Sequence, residues 1–436
     1  MRRTLIAVAT IGLLGALAAC APGPVASPSG GGNGAAPSGG TIDYSTFKGK
    51  KITYLYFTDG PDEAATRALL KEFEAKSGGT VDLQIIPYAD LQQSLQARLS
   101  GGNAPDVARL SDIEPFKGDL LDLHGYLGKD YEKEFQAGPT KSVLRDGKML
   151  GVPNDLTMNG PFINVDQFKK AGVEVPTKGW KWEELVAAAR KVQQANGTEA
   201  GIAIDKSPHR LSTVLSEYGT TYVGSGLKST LDDTKGTAAV NLLLGLIKDG
   251  TMSRDFWIES GSKYKGANDM FLAGQAPVYI SGNWQVAQFA TAAKFAWATV
   301  PNPCAERCGG FPGGKFTVAF QGSKEQSMAA ALVQFLNSKE SQEKMDQQSM
   351  WLPTRNDLVK SGVQYPSRTE DMKVFIGDVE KTPEDTYDAV ASPAFGACGT
   401  PLIKEFAKAV AGQQDAATVV KNTKAECDKV ISGLKK

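Results

Sequence analysis

The segment from residue 52 to residue 110 alternates between two hydrophobic patterns, and this alternation limits the possible folds more sharply than anything else in the chain. Three short runs rich in β-branched and aromatic residues predict strands, at 52–57, 81–86 and 106–110. Between them, apolar residues recur at helical spacing, as at Leu69 and Phe73, and a pair of glycines ends each helix. We expect Asp90 to be the N-cap of the second helix. This β-α-β-α-β succession predicts a parallel sheet covered by helices on both faces.

The rest of the chain continues to alternate helices with short strands and shows no internal repeat. Its 436 residues fit two or three units of ordinary size, and 41% apolar with 22% charged residues is a normal globular composition. Lys plus Arg and Asp plus Glu both number 48, and without the first 19 residues the net charge is −2. Because proteins that bind nucleic acid need a basic face, we do not expect nucleic acid as a partner.

The N-terminal residues have the pattern of a signal peptide. Arg2 and Arg3 precede an apolar run from residue 5 to residue 19, which is short for a membrane span. The run ends in Leu-Ala-Ala followed by Cys20, which resembles the bacterial lipoprotein box, in which the cysteine becomes the lipid-carrying N-terminus. We therefore expect a signal peptide at 1–19 and a lipid on Cys20. The alternative is an ordinary signal peptide with an incidental cysteine.

Residues 21–40 consist almost entirely of glycine, proline, serine and alanine and carry no charge. Such a segment cannot bury enough apolar surface to fold, so it is typical of a flexible tether, with a coil dimension of roughly 25 Å. We expect the lipidated cysteine and linker to span 20–47 and the folded part to begin near residue 48. The domain would then work in water, close to a membrane.

Four further cysteines fit an oxidising compartment outside the cytoplasm. Four cysteines allow three pairings, and sequence proximity favours Cys304 with Cys308 and Cys398 with Cys427. A metal site is the weaker alternative, because the chain has no C-x-x-C motif and only two histidines.

Motifs for catalysis and for cofactors are missing from the sequence. Residues 309–315 approach a phosphate-binding loop, but Phe316 stands where Ser or Thr would hold magnesium and a strand follows, so we predict a glycine-rich hairpin loop there. We find neither a G-x-S-x-G elbow nor a G-x-G-x-x-G fingerprint and predict no cofactor. A pair of carboxylates, as in glycoside hydrolases, stays open, with Asp59, Asp112, Asp155 and Glu183 as candidates.

Several motifs in a fixed order are similar to those of family 1 extracellular solute-binding proteins, the group that includes maltose-binding proteins. They are G-N-A-P-D-V at 102–107, G-K-M-L-G-V-P at 147–153, the segment 162–176, F-L-A-G-Q-A to G-N-W at 271–284, and W-L-P-T-R at 351–355. The resemblance covers roughly residues 50–432, and it is the joint order of the motifs, each weak alone, that makes it specific.

The resemblance implies an α/β, two-lobed periplasmic-binding-protein-like fold of type II, with the ligand cleft between lobes joined by crossing segments. We expect one lobe from 48–153 plus 286–340 and the other from 154–285 plus 341–436. The implied function is non-enzymatic: a monomeric, lipid-anchored binding protein on the outer face of the cell membrane delivers a mono- or oligosaccharide to an ABC permease with a cytosolic ATPase. The alternatives are another solute (a glycerophosphodiester, a polyamine or a compatible solute), a secreted glycoside hydrolase, or an anchored scaffold module without a cleft.

A sugar is recognised by aromatic faces and by planar polar groups that pair its hydroxyls. Positions that match the family's motifs predict the ligand-binding residues: Phe57, Thr58, Asp59, Ser111, Asp112, Asn154, Asp155, His209, Trp284, Gly313, Gly314, Trp351 and Arg355. Several of these have a structural alternative. Asp59 and Asp112 could cap helices, Phe57 and Trp351 could be core aromatics, and Arg355 could pair with a structural carboxylate.

Overall fold

The computed structural model describes residues 42–176, 178–258 and 266–435. The predicted signal peptide, Cys20 and the linker up to residue 41 lie outside the described residues. In the part of the chain that is described, no helix is both long and apolar enough to cross a membrane.

The strands are short, with one exception at the centre of the chain. They are β1 (Lys51–Tyr56), β2 (Thr80–Ile85), β3 (Val107–Leu110), β4 (Leu144–Arg145), β5 (Lys148–Met149), β6 (Val152–Asn164), β7 (Ile202–Ile204), β8 (Val223–Gly224), β9 (Lys228–Ser229), β10 (Val278–Gly282), β11 (Trp297–Thr299) and β12 (Pro312–Ala319).

The helices connect these strands and form most of the C-terminal third. They are α1 (Asp62–Ser77), α2 (Tyr88–Ser100), α3 (His124–Leu127), α4 (Ala137–Lys141), α5 (Val165–Lys170), α6 (Trp182–Asn196), α7 (Pro208–Glu217), α8 (Asp233–Lys248), α9 (Asp255–Ile258), α10 (Ala267–Leu272), α11 (Gln285–Ala292), α12 (Gln326–Leu336), α13 (Lys339–Ser349), α14 (Asn356–Ser361), α15 (Thr369–Lys381), α16 (Glu384–Ala391), α17 (Phe395–Val410) and α18 (Ala416–Leu434). Short 3-10 turns cover Tyr44–Phe47, Glu114–Phe116 and Tyr131–Glu134.

The main sheet has the strand order β2-β1-β3-β12-β6-β10-β7, with β11 also pairing with β6. Strand β1 is parallel to both β2 and β3, so the predicted β-α-β-α-β unit is confirmed. Strand β6 is 13 residues long and buried throughout. Its first half pairs with β12, and its second half pairs with β10 and β11. This strand therefore joins the two halves of the sheet.

The hydrophobic residues gather into separate clusters on the two halves of this sheet. Two clusters flank β1, one with Tyr54 and Phe73 and the other with Phe57 and Leu95, and we call them the β1 clusters. Alternate residues of β1 enter each one, as the pleat of a strand requires. The third and largest, the β10 cluster, contains Tyr279 and the other apolar residues packed around β10 and β6.

The cluster membership bears on where one lobe ends and the other begins. Val286, Phe289 and Trp297, which we expected in the first lobe, pack in the β10 cluster. Met345 and Trp351, which we expected in the second lobe, pack in a β1 cluster. The exact lobe boundaries remain a prediction.

Two local expectations are wrong. Helix α2 begins at Tyr88 directly after Pro87, so Asp90 lies inside the first turn and is not the N-cap. Proline has a fixed φ that suits the start of a helix, and an acid in the first turn still interacts favourably with the helix dipole. The glycine-rich stretch that we expected to be a hairpin loop is instead the start of β12, where Gly313 and Gly314 pair with Thr157 and Leu156 of β6.

Both disulfide bonds favoured by sequence proximity are present in the structure. One joins Cys304 to Cys308 and closes a short surface loop. The other joins Cys398 of α17 to Cys427 of α18 and links two helices that cover the β10 cluster.

Candidate functional site

A buried arginine lies at the centre of a polar cluster in the half of the sheet that contains β1, β3 and β12. Arg109 of β3 has no exposed surface, and its Nη2 lies 3.0 Å from Asp59 Oδ2 and 2.5 Å from Asp155 Oδ2. Its Nη1 donates to the carbonyl oxygen of Phe57 at 3.0 Å. A buried cation is tolerated only when it is paired and hydrogen-bonded, and these carboxylates and this carbonyl meet that need.

The faces of the surrounding aromatic rings are directed at Arg109. Its guanidinium carbon lies 4.6 Å from the ring centroid of Phe57 and 4.5 Å from that of Trp351. Both rings are almost completely buried. Phe57 and Trp351, which we predicted to contact a ligand, therefore act in this structure as core aromatics that stack on the guanidinium.

Lys315 of β12 joins this cluster through its side chain and its backbone. Its Nζ lies 3.1 Å from Asp59 Oδ2, and its backbone N–H donates to Asp155 Oδ1 at 2.9 Å. Burial opposes ionisation of Asp59, but the positive charges of Lys315 and Arg109 outweigh that effect and lower its pKa. The register of β12 against β6 shifts between Lys315 and Phe316.

The half-buried Trp284 lies against two cations. It follows β10, at the N-terminus of α11. The guanidinium carbon of Arg210 is 4.5 Å from the Trp284 ring centroid, and Lys315 Nζ is 5.8 Å from it. Lys315 belongs to the strand that pairs with β3, whereas Trp284 and Arg210 follow strands of the other half of the sheet. The indole thus lies where the two halves meet.

Arginine 210 is held by a second acid-centred network. Its Nη2 lies 3.0 Å from Asp205 Oδ2, and its Nη1 donates to Asn159 Oδ1 at 3.0 Å. The hydroxyls of Tyr279 and Ser281 donate to the same carboxylate, at 2.9 and 3.0 Å. This carboxylate is thereby fixed in orientation and fully ion-paired.

Histidine 209 lies in the first turn of α7, beside Arg210. That turn begins at Ser207, whose hydroxyl accepts from the His209 N–H, followed by Pro208. Burial, followed by the positive charges of Arg210 and Lys315, lowers the His209 pKa to about 3. Its imidazole is therefore neutral at physiological pH, with one ring nitrogen donating to the Pro312 carbonyl oxygen and the other able to accept.

The two predicted glycines allow the strands to approach closely next to this histidine. A Cβ on Gly313 would stand 2.7 Å from Thr157 Oγ1 and 3.4 Å from His209 Cε1, and a Cβ on Gly314 would stand 2.7 Å from the Asp155 carbonyl oxygen. Real Cβ contacts are not this short, so only glycine fits both positions without movement.

The other predicted residues have mixed positions. Thr58 is half-buried beside Asp59. Ser111 Oγ is 3.1 Å from the Tyr88 hydroxyl. Asp112 accepts from the Glu114 N–H at 2.9 Å but is not the N-cap of the following 3-10 turn, which is Ile113, and burial raises its pKa.

Two predicted residues are occupied by structural partners. The Asn154 side chain donates to Asn337 Oδ1 in the interior at 3.2 Å. Arg355 lies 2.9 Å from Glu134 Oε2 and 3.0 Å from Asp357 Oδ2, and it also donates to the Asn337 carbonyl oxygen. These contacts match the structural alternative for Arg355.

The structure therefore brings six predicted residues together: Asp59, Asp155, His209, Trp284, Gly313 and Gly314. Sequence reasoning missed the basic residues Arg109, Lys315 and Arg210 and the acid Asp205. A charged residue inside the apolar run 107–110 was the available signal for Arg109. Within the described ranges, no cluster of three or more His, Cys, Asp or Glu side chains could hold a metal ion.

Comparison with solved structures defines the fold class. The chain superposes on an ABC substrate-binding protein of Listeria monocytogenes in complex with cycloalternan, with a TM-score of 0.77, 22% identity and coverage of 88% of this chain and 100% of that one. It also superposes on maltose-bound MalE3 of T. maritima, with a TM-score of 0.72, 20% identity and coverage of 88% and 99%. The protein is a two-lobed α/β protein of the periplasmic-binding type.

The sequence comparison gives the family. A model of the family described as bacterial extracellular solute-binding protein matches residues 68–371. The chain belongs to this family, which acts outside the cytoplasm. The diacetylchitobiose-binding protein of Streptomyces coelicolor is 26% identical over 348 residues, which cover 76% of each chain. A putative binding protein of Brucella abortus is 24% identical over 317 residues, or 70% of this chain and 75% of that one.

Proposed function

We propose that the protein captures a neutral oligosaccharide and delivers it to the permease of an ABC importer. The observation that carries this proposal is the pairing of charges around Trp284. Both cations that approach the indole are matched by a carboxylate, Lys315 by Asp59 at 3.1 Å and Arg210 by Asp205 at 3.0 Å.

This pairing favours a neutral solute over a charged one. A polyamine or a glycerophosphodiester would need an uncompensated charge of opposite sign, because removing an ion from water is costly unless it is paired. A sugar needs oriented donors and acceptors, which the two ion pairs and the neutral His209 supply. The Trp284 face suits the apolar C–H face of a sugar ring.

The names of the relatives support the same solute class. One is a diacetylchitobiose-binding protein, and the two solved structures contain cycloalternan and maltose. At 20–26% identity these names support a carbohydrate and leave its identity open.

We further propose that capture is not followed by catalysis. A glycoside hydrolase needs one carboxyl group with a raised pKa as the general acid. The pKa of Asp59 is lowered, and Asp155 is buried against Arg109 and the Lys315 backbone, so neither suits that role. Asp112 has a raised pKa, so an assay for glycoside cleavage is the test that applies to it.

The cellular setting belongs to the same proposal. The motif ending at Cys20 supports a lipid anchor on the outer face of the cell membrane, and the glycine-rich segment supports a tether. A monomer that closes its two lobes on the sugar would then meet a permease driven by a cytosolic ATPase.

A thermal-shift screen of the purified protein tests the proposal. The panel would hold mono- and oligosaccharides, polyamines, betaines and glycerophosphodiesters. A ligand at 100 times its dissociation constant adds about 2.7 kcal/mol to the unfolding free energy, which is a readily visible shift. We expect one oligosaccharide series to raise the midpoint and to be recovered unchanged, and we expect Trp284→Ala to remove the shift.

Two other outcomes would reject the proposal. If only a charged solute raises the unfolding midpoint, the fold assignment stands and the assignment of a sugar as the ligand is rejected. If the protein cleaves a glycoside, the function as a transport receptor is rejected in favour of a glycoside hydrolase.

A further inference from the structure

Tyr88 is an unusually exposed aromatic residue in a chain that buries most of its rings. Among the described residues, the large apolar side chains that remain exposed are Ile85, Tyr88, Val359 and Leu434, and Tyr88 is the most exposed at 59%. A single exposed apolar residue is common and does not by itself indicate a binding site. The contacts and the position of Tyr88 are what give its exposure significance.

The Tyr88 ring is held in place although it is exposed. Its hydroxyl lies 3.1 Å from Ser111 Oγ, and its ring centroid lies 4.9 Å from that of the buried Phe57 at an interplanar angle of 49°. A ring fixed in this way loses little side-chain entropy when a ligand covers it, which favours binding.

Tyr88 also lies on the same edge of the sheet as the site. It follows β2, as Asp59 follows β1 and Ser111 follows β3, and these three strands are parallel. Ligands of open α/β sheets bind beyond the carboxyl ends of the strands. Strand β2 is the edge strand of the sheet, so Tyr88 lies at the outer rim.

The separation from the centre of the site indicates a second sugar position. Lys315, which contacts Trp284, lies on β12. Phe57 lies at the end of β1, and two strand spacings of about 4.8 Å each separate β1 from β12. Trp284 follows β10, whereas Tyr88 follows β2 and its hydroxyl contacts Ser111 at the end of β3, so the two aromatic residues follow strands on opposite sides of β12. Phe57 and Trp351 are almost completely buried, whereas Tyr88 is 59% exposed and can be covered by a ligand.

We propose that Tyr88 forms an outer sugar subsite, so that the site selects oligosaccharides over monosaccharides. This inference rests on the proposed function. It predicts that the contribution of Tyr88 depends on ligand length, because only a ligand long enough to extend from Trp284 to the rim contacts it.

The test is titration calorimetry of the full-length protein with malto- and chito-oligosaccharides of one to five units. We expect Tyr88→Ala to weaken binding of the longer members by about fivefold to tenfold and to leave the monosaccharide unchanged. Tyr88→Phe keeps the ring and should retain most of the affinity. Ile85→Ala removes a neighbouring exposed apolar side chain and serves as the matched control, with unchanged binding at every length.

The outcomes separate this inference from the proposed function. If the wild type binds none of these sugars and no other sugar shifts its thermal midpoint, the proposed function and the subsite both fall. If another sugar series shifts the midpoint, the same titration is made with that series. If the wild type binds them and Tyr88→Ala has no effect, or an equal effect at every length, only the subsite falls. If Tyr88→Ala leaves binding intact and instead reduces uptake through the permease, Tyr88 belongs to a docking surface and the subsite is rejected.

Discussion

The carboxylate of Asp112 lies against the first turn of α17, where a Cβ added to Gly396 would stand 2.9 Å from Asp112 Oδ2. Asp112 follows β3, whereas Phe395 at the start of α17 packs in the β10 cluster. The contact therefore crosses between the two halves of the protein. The first turn of α17 therefore lies directly against the Asp112 carboxylate and leaves no room for a side chain on Gly396.

The first prediction concerns this contact. Gly396→Ala would place a methyl group against the Asp112 carboxylate and should hinder closure, which we expect to weaken binding of the oligosaccharide about fivefold or more. Gly377→Ala in α15 is the matched control, because a Cβ there meets no atom within 4 Å. Calorimetry of both variants measures the effect, and equal affinities would show that the contact does not take part in closure.

The second prediction concerns the ion pair of Lys315 and Asp59. Lys315→Met should lower the unfolding free energy at pH 7 by about 1–3 kcal/mol, because it removes one partner of a largely buried carboxylate. Lys51→Met, which breaks an exposed pair with Asp82, should cost less than about 1 kcal/mol. Denaturant titration compares the two variants. Equal losses of unfolding free energy in the two variants would mean that the buried Lys315–Asp59 pair stabilises the protein no more than an exposed pair does.

The same variant should change the response to acid. The pKa of Asp59 is lower in the folded protein than its ordinary value of 3.8, so its ionised form adds stability above about pH 4 that is lost as the pH falls through the folded-state pKa. Without Lys315 that pKa rises, and Lys315→Met should lose less stability than the wild type on acidification from about pH 5 to about pH 2. Identical acid-unfolding curves would contradict this assignment.

The third prediction concerns the protonation of His209. The chain has only two histidines, so His124→Gln leaves a single imidazole to follow by NMR. Since the His209 pKa is lowered to about 3, we expect its signals to stay those of a neutral ring from pH 8 down to about pH 4. Below pH 6.5 the unfolded chain therefore binds a proton at His209 that the folded protein does not bind. The unfolding free energy consequently decreases as the pH falls from 6.5 towards 3. A midpoint near 6.5 would show that the ring is open to solvent.

The sequence predicted the β-α-β-α-β unit because that pattern is local and periodic. Prediction from the sequence failed where tertiary packing determines the bounds of an element. Helix α17 begins at Phe395 and includes Pro401, a residue whose local preference is for the first turn of a helix. Phe395, Cys398 and Leu402 form a buried stripe on this helix, and their packing determines where it begins.

The candidate site was predicted in part for the same reason. Asp59 and Trp284 follow strands, and strand ends can be located from the sequence. Arg109 could not be assigned a role, because a buried arginine makes sense only when Asp59 and Asp155, 50 and 46 residues away, are known to reach it. Pairings between distant residues leave no local pattern.

The fourth prediction compares the two disulfide bonds. A disulfide stabilises mainly by restricting the unfolded chain, and the restriction grows with the length of the closed loop. The Cys398–Cys427 bond spans 29 residues and the Cys304–Cys308 bond spans 4. We expect the double alanine variant at 398 and 427 to lose about 3–4 kcal/mol of unfolding free energy and the one at 304 and 308 to lose about 2 kcal/mol. Denaturant unfolding of both variants measures the difference. A larger loss at the short loop would mean that its native contacts, such as the Arg307 guanidinium with Asp385, outweigh chain entropy.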